Sequence, residues 1–355
     1  MRRCIGLMSG TSLDGVDAAW IETDGLRVGR FGPTVTIPYD DALRADLRAI
    51  LDRAPTLPTN DPALASAVAR LTDIHIRAVR ELDAPADLIG FHGQTILHQP
   101  DRRRTWQVGD AVRLAQETGI PVAFDFRSAD VAAGGQGAPL APIYHAALAS
   151  GLERPLAILN IGGVANVTWI GADDSLVAFD TGPGNGPLDD WVMRRTGARF
   201  DRDGTLARSG QDDPTVLARL LAHPYFRARP PKSLDRLDFS RALAASGLEQ
   251  LAAADGAATL AAFTAAAVAT ALFPAPPRRW LVCGGGRHNP AIMDALRTQL
   301  AAAVDPVEWV GWDGDALEAQ CFGFLAARVA ASLPLSFPGT TGVRHALTGG
   351  QIVQP

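Results

Sequence analysis

Four glycine-rich segments, each following an apolar run, carry the residue types suited to chemistry on an anion: SGTSLDG (9–15), NIGG (160–163), DTGPGN (180–185) and CGGG (283–286). Glycines and small hydroxyl residues at a strand end let backbone N–H groups turn inward on a phosphate. Any one of them is equally a plain hairpin turn. Four in one chain point to a shared polyanionic ligand, and a nucleotide is the first expectation. Asp180 opens the third segment at a strand end, where a carboxylate is well placed for general-base work. The competing reading makes it a cap or brace for the helix that starts near Gly186. Asp189 and Asp190 suit the dipole of that helix.

A second group of residues reads as recognition rather than catalysis. His92 and His98 stand six apart, without the spacing or third ligand of a zinc site. Gln94 and Thr95 offer compact donors and acceptors for sugar hydroxyls. Arg127 can pair bidentately with a substrate carboxylate, or be absorbed by Asp125 or Asp130 in a structural ion pair. Glu318 reads by itself as a solvated first-turn residue of a helix. Trp106, Trp169 and Trp191 read as core.

The elements that must position these groups alternate. Strands are expected at 4–9 and 16–22, with a third beside them after the Asp24-Gly25 turn, then at 88–92, 122–124, 156–161, 164–170, 176–179, 280–283 and 307–309. Helices are expected at 63–82, 187–196, 257–272, 291–302 and 315–331. A three-strand meander ending in glycine turns thus occurs twice, which predicts a duplicated mixed α/β fold with a nucleotide cleft. The segment 132–142 reads as a crossover between domains, and 200–238 as a polar, proline-containing region. No GxxxxGK[ST], no GxGxxG between a strand and a helix, and no kinase HRD or DFG is present, which excludes the ordinary P-loop and protein-kinase sites.

Composition narrows the class. The chain has 355 residues, 47% hydrophobic and 20% charged, with a net charge of −5. Length favours two domains. The acidic balance argues against nucleic acid or an anionic membrane as partner. The alanine-rich stretch 252–272 reads as a buried core helix. Three scattered cysteines and no evident leader fit a reducing cytoplasm.

Longer blocks make the sequence recognisable: GLMSGTSLDGVD (6–17), GFHGQTILHQP (90–100), FDFRSADVAAGGQGAPLAP (124–142), LNIGGVANVT (159–168), FDTGPGN (179–185), PPKS (230–233), VCGGGRHNP (282–290) and DALEAQCFGFLA (315–326). In this order, through nearly the whole chain, they resemble the anhydro-N-acetylmuramic acid kinases. That family lies within the superfamily of sugar kinases, heat-shock chaperone ATPases and actin. The resemblance implies a two-lobed actin-like ATPase fold, with lobes at 1–135 plus 335–355 and at 136–334. It implies ATP and Mg2+ as cofactors, a homodimer, and 1,6-anhydro-N-acetylmuramic acid as substrate. An ordinary sugar or polyol hydroxyl kinase and a nucleotide-switched binding module are the alternatives.

The resemblance also assigns residues. Gly10, Thr11, Ser12, Leu13, Asp14, Gly15, Val16 and Asp17 form a first ATP loop, and Asn160, Gly162 and Gly163 a second. Gly284, Gly285 and Gly286 receive the base. Asp180 is the catalytic base; His92, Gln94, Thr95, Arg127 and Glu318 bind the sugar. Chaperone-like members carry an aspartate where this chain has Met8, so the magnesium-facing carboxylate falls to Asp17 or Asp14, with Asp17 preferred. Leu234-Asp235 departs from the Thr-Gly expected after Lys232-Ser233.

Overall fold

Short apolar runs in the first forty residues, separated by turns, fold as an antiparallel meander of β1 (Arg2–Ser9), β2 (Gly15–Thr23) and β3 (Val28–Pro38). This is a computed structural model, and it describes residues 1–234 and 239–355. β4 (Leu88–Gln99) lies parallel to β1, β5 (Arg104–Val108) folds back on β4, and β6 (Val122–Phe124) lies parallel to β4. The terminal strand Gln351–Val353 closes this sheet antiparallel to β6. A second sheet repeats the programme with β7 (Leu156–Ile161), β8 (Val164–Ile170) and β9 (Leu176–Pro183) as the meander, then β10 (Arg279–Cys283) and β11 (Ala303–Pro306) in parallel. The strand orders β3-β2-β1-β4-β6 and β9-β8-β7-β10-β11 match step for step. This is the duplicated mixed α/β architecture expected from the two meanders.

The chain divides into two compact units, Met1–Ser150 with Ala316–Pro355, and Gly151–Asp315. The boundaries differ from the expected 135/136 and 334/335. The helix Leu317–Ala330, expected in the second unit, belongs to the first because it lies against the backbone of β1 and β4. A Cβ at Gly6 would stand 1.7 Å from the Ala319 carbonyl oxygen, and one at Gly90 would stand 2.0 Å from that of Phe322. Only glycine permits so close an approach of strand and helix. Gly6→Ala is therefore expected to cost about 1–3 kcal/mol, the scale of overpacking, read as a lowered denaturant midpoint with an unchanged slope.

The segment 132–142 also departs from expectation. It lies inside the first unit and is pinned there: the Gly137 amide donates to Asp130 Oδ1 at 2.6 Å, and the Gln136 amide donates to the Thr341 carbonyl at 2.7 Å. It is not an exchange point between domains.

Each unit has its own core. In the first, the helix Pro62–Leu82 starts at Asp61, whose carboxylate caps the Ala63 and Leu64 amides, and it buries Leu64, Leu71, Ile76 and Val79. In the second, the alanine-rich helix Ala253–Ala269 buries Leu260 and Phe263 among Trp191, Phe226 and Phe239. No helix among the described residues is long and apolar enough to cross a membrane. Trp169 is also buried, and Trp106 packs partly exposed on the first core. Within 200–234 the chain forms the helix Pro214–Leu221, capped by Asp213. The strand expected at 307–309 lies earlier, at β11, and is followed by a 3-10 turn over Val307–Val310.

Candidate functional site

In the first unit, residues 10–14 are the tight connection between β1 and β2. The Leu13 amide donates to the Gly10 carbonyl at 3.2 Å, and Leu13 holds a left-handed φ of 56° with its side chain buried. Thr11, Ser12 and Asp14 are exposed at the turn, and the Ser12 hydroxyl donates to Asp14 Oδ1 at 2.8 Å. Gly15 and Val16 lie in β2, where Val16 is buried and a Cβ on Gly15 would meet the Ile37 carbonyl at 2.5 Å. Those two residues build the sheet, so the turn itself is Gly10 to Asp14. Asp17 sits on β2 beside Met8 and accepts a 2.6 Å hydrogen bond from Thr36.

Gln94 does not reach solvent. Its amide donates to the carbonyls of Gly10 and Thr95, and Tyr39 OH donates to its Oε1 at 3.5 Å. The sugar contact expected of Gln94 is corrected to a brace for the first turn. Thr95 accepts from Gln107 Nε2 at 3.1 Å across the β4–β5 pair.

Arg127 precedes the short helix Ser128–Ala132. Its Nε and Nη2 both donate to His92 Nε2, at 3.1 and 3.0 Å, and its Nη1 donates to the Gly137 carbonyl at 2.7 Å. Neither aspartate weighed as its partner takes it. Asp125 receives Gln351, and Asp130 receives Gly137 and Thr341. Desolvation lowers the Arg127 pKa, against the fields of Glu318 and Asp130. His92 is buried, and burial with the adjacent guanidinium holds it well below the usual imidazole range. Glu318 stands exposed in the first turn of Leu317–Ala330.

In the second unit, Gly162 and Gly163 connect β7 to β8, and their carbonyls accept from the amides of Asn185, Gly184 and Gly186. The second and third glycine segments are thus one knitted structure at the ends of β7, β8 and β9. Asp180 lies on β9, half-buried. Its Oδ2 accepts the Leu234 amide at 2.7 Å, and its own amide donates to the Lys232 carbonyl. Tyr225 OH donates to its carbonyl at 2.6 Å. Burial pushes the Asp180 carboxyl up to about 7, while the Leu234 amide and the Lys232 charge pull it down. A carboxyl near neutrality is matched to proton transfer at physiological pH. It does not cap the following helix, whose N-cap residue is Asn185.

The CGGG turn follows β10. Gly284 has φ +74°, and a Cβ there would stand 2.2 Å from Asn160 Oδ1, while one on Gly286 would meet Ile161 at 2.3 Å. Both glycines let the turn lie on the end of β7, whereas a Cβ on Gly285 would make only an ordinary contact, 3.5 Å from Asn185 Nδ2. Arg287, unnoticed in the sequence, braces this turn: its Nη1 donates to the Gly284 carbonyl, and its Nε and Nη2 pair with Glu308 and Asp315. Lys232, Tyr225 and Leu234 around Asp180 were equally unassigned. The PPKS block was the one signal for them, and the Asp235 half of the departure after it lies outside the described residues.

No cluster of three His, Cys, Asp or Glu residues able to hold a metal occurs among the described residues. Magnesium in nucleotide sites needs only one or two carboxylates besides phosphate oxygens. Asp14 at the first turn and Asp17 on β2 are of that chemistry.

A sequence profile of the family described as anhydro-N-acetylmuramic acid kinase matches residues 2–355. A protein of Acidiphilium cryptum (strain JF-5) bearing that name is 65% identical over 351 residues, covering 99% of this chain and 98% of the relative. One of Rhodospirillum rubrum, of the same name, is 56% identical over 354 residues, covering 98% and 92%. One of Gluconobacter oxydans (strain 621H), again so named, is 54% identical over 359 residues, covering 98% and 99%.

Proposed function

The chain belongs to the anhydro-N-acetylmuramic acid kinase family, and from that premise we propose that it opens the anhydro bridge of 1,6-anhydro-N-acetylmuramic acid and phosphorylates O6 with ATP. The products are N-acetylmuramic acid 6-phosphate and ADP, in the recycling of cell-wall sugar. The observation that carries the chemistry is Asp180, a carboxyl raised to about 7 and held through one oxygen by the Leu234 amide. Asp180 takes a proton from the water that attacks C1. O6, released from C1, becomes the nucleophile for the γ-phosphate. An ordinary hydroxyl kinase would consume no water, so the two readings separate in labelled solvent. Mass spectrometry of the product made from ATP and the anhydro sugar in labelled water tests this directly, with the label expected at C1.

The turns at Gly10–Asp14 and Gly162–Gly163 bind the phosphates through backbone donors, and the glycines 284–286 receive the base. Mg2+ would neutralise charge on the phosphates when bound, and Asp17 would be the carboxylate that holds it. We place the enzyme in the cytoplasm, where ATP is available and its three buried cysteines, none in a disulfide, stay reduced. Homodimeric assembly is the proposal the family suggests.

Arg127 binds the lactyl carboxylate, which distinguishes the muramyl from the glucosaminyl sugar. Its guanidinium meets a neutral imidazole and a carbonyl but no carboxylate of its own. Arg127→Ala is expected to raise KM for the muramyl sugar with a smaller change in kcat, because the contact is equal in ground and transition states. It should also lose the preference for that sugar over anhydro-N-acetylglucosamine. Steady-state kinetics on both sugars checks it, and an intact preference would return Arg127 to a structural role.

A further inference from the structure

We propose that His92 is a positioning residue rather than a sugar contact: a neutral acceptor that fixes the Arg127 fork while leaving its charge for the substrate's carboxylate. The inference rests on the reading of Arg127 as the carboxylate site. Arginine always donates, so His92 Nε2, receiving both Nε and Nη2, is the unprotonated nitrogen and the proton sits on Nδ1. Nδ1 makes no formed hydrogen bond, although the backbone of Gly93 and Ser9 lies near it. The ring is 4% exposed and stacks tilted on Phe322 at 4.5 Å, so it has no face left for a sugar.

The ordinary partner for a guanidinium in such surroundings is a carboxylate, since a desolvated charge left unpaired is costly. Here two aspartates lie near in sequence and both are turned to other donors, Gln351 on Asp125 and Gly137 with Thr341 on Asp130. An imidazole in their place orients the fork through two N–H groups without cancelling the charge. Glu318 and Asp130 act on the guanidinium only through space, so the direct counter-ion is left for the ligand to supply, and a sugar without a carboxylate leaves the cation without one. That converts a single arginine into a test for the lactyl group, by the logic in which an unpaired polar group penalises the wrong ligand.

The experiment compares His92→Gln and His92→Glu through the ratio of kcat/KM for the anhydromuramyl sugar to that for anhydro-N-acetylglucosamine. At nearly equal size, Gln offers a neutral oxygen and Glu a charged one in the place of Nε2. Gln is expected to hold the ratio near the wild-type value. Glu is expected to lower it by about 10- to 100-fold, the scale of one charge-assisted hydrogen bond. A Glu variant with the wild-type ratio, or a Gln variant that loses as much as Glu, overturns the inference. If Arg127→Ala keeps the preference, the carboxylate reading itself has failed; if that variant loses it while His92→Glu keeps it, only the role of His92 has failed. A measurement without any change at His92 guards against misfolded variants. In Asp180→Asn protein, calorimetry of sugar binding in two buffers of different ionisation enthalpy is expected to show no net proton uptake. Uptake approaching one proton per sugar would mean that His92 becomes charged, and would overturn the proposal.

Discussion

Asp180→Asn is expected to bind ATP and sugar with affinities close to wild type and to lose at least ~10²-fold in kcat, the lower scale of general-base catalysis. The substitution keeps the size of the side chain, and the amide oxygen can still receive the Leu234 N–H that now meets Oδ2 at 2.7 Å. What it removes is the capacity to accept a proton. In the proposed reaction that proton comes from the water attacking C1, with inversion at that carbon. The departing O6 then attacks the γ-phosphate, where positioning and electrostatics supply most of the remaining acceleration. The pH dependence follows from the same carboxyl. Burial raises it to about 7, so the base is protonated and inactive below that value and ionised above it. The kcat/KM profile should therefore show an acid limb with a midpoint near 7, falling tenfold per pH unit below it. That limb should vanish from the residual activity of the Asn variant. An Asp180→Asn enzyme of full activity, or a product carrying no solvent oxygen at C1, would defeat the mechanism.

The parts of this site that depend on local chain chemistry were legible from the residues. Asn160-Ile161-Gly162-Gly163 announces the end of β7, whereas the strand expected to stop at Phe179 runs on through Asp180-Thr181-Gly182 to Pro183 because these residues stay paired with β8. The duplicated topology was legible because short apolar runs bounded by glycine and Asp-Gly turn signals recur in both halves. What escaped was set by tertiary packing. Gln94 and Thr95 are adjacent polar residues, yet the pleat sends Gln94 inward to hold the Gly10 carbonyl and no sequence pattern reports that. The helix Leu317–Ala330 follows the second sheet in the chain but packs on the first, because glycines at 6 and 90 admit its backbone. The brace of Asp180 by Leu234 runs through a main-chain amide, so its side chain carries no mark of it. The choice between ligand and ion pair at Arg127 lay in where Asp125 and Asp130 turn, which is a matter of rotamers and of residues more than two hundred positions away.

Gly163→Val is expected to abolish detectable binding of MgATP while leaving the fold and its stability nearly unchanged. A glycine is usually held in place by a backbone angle or by a close neighbour. Gly284 has both, a φ of +74° and Asn160 Oδ1 at 2.2 Å from any Cβ. Gly163 has neither: its φ lies outside the left-handed range, a Cβ would meet nothing within 4 Å, and the residue is exposed. Its carbonyl accepts from the amides of Gly184 and Gly186, and a side chain does not interfere with those bonds. A valine there is therefore an exposed substitution without a structural penalty, with an expected stability change within about 0.5 kcal/mol. The open space matters only to something that approaches the turn from outside the chain. A triphosphate laid against the backbone donors of this turn needs the backbone to be bare, and two branched methyl groups would hold it off by more than a hydrogen-bond length. Calorimetry with MgATP, beside a denaturant titration of the same protein, reads both halves. Unchanged affinity in a stable variant would remove the second turn from the nucleotide site, and a large loss of stability would show that the glycine serves the fold.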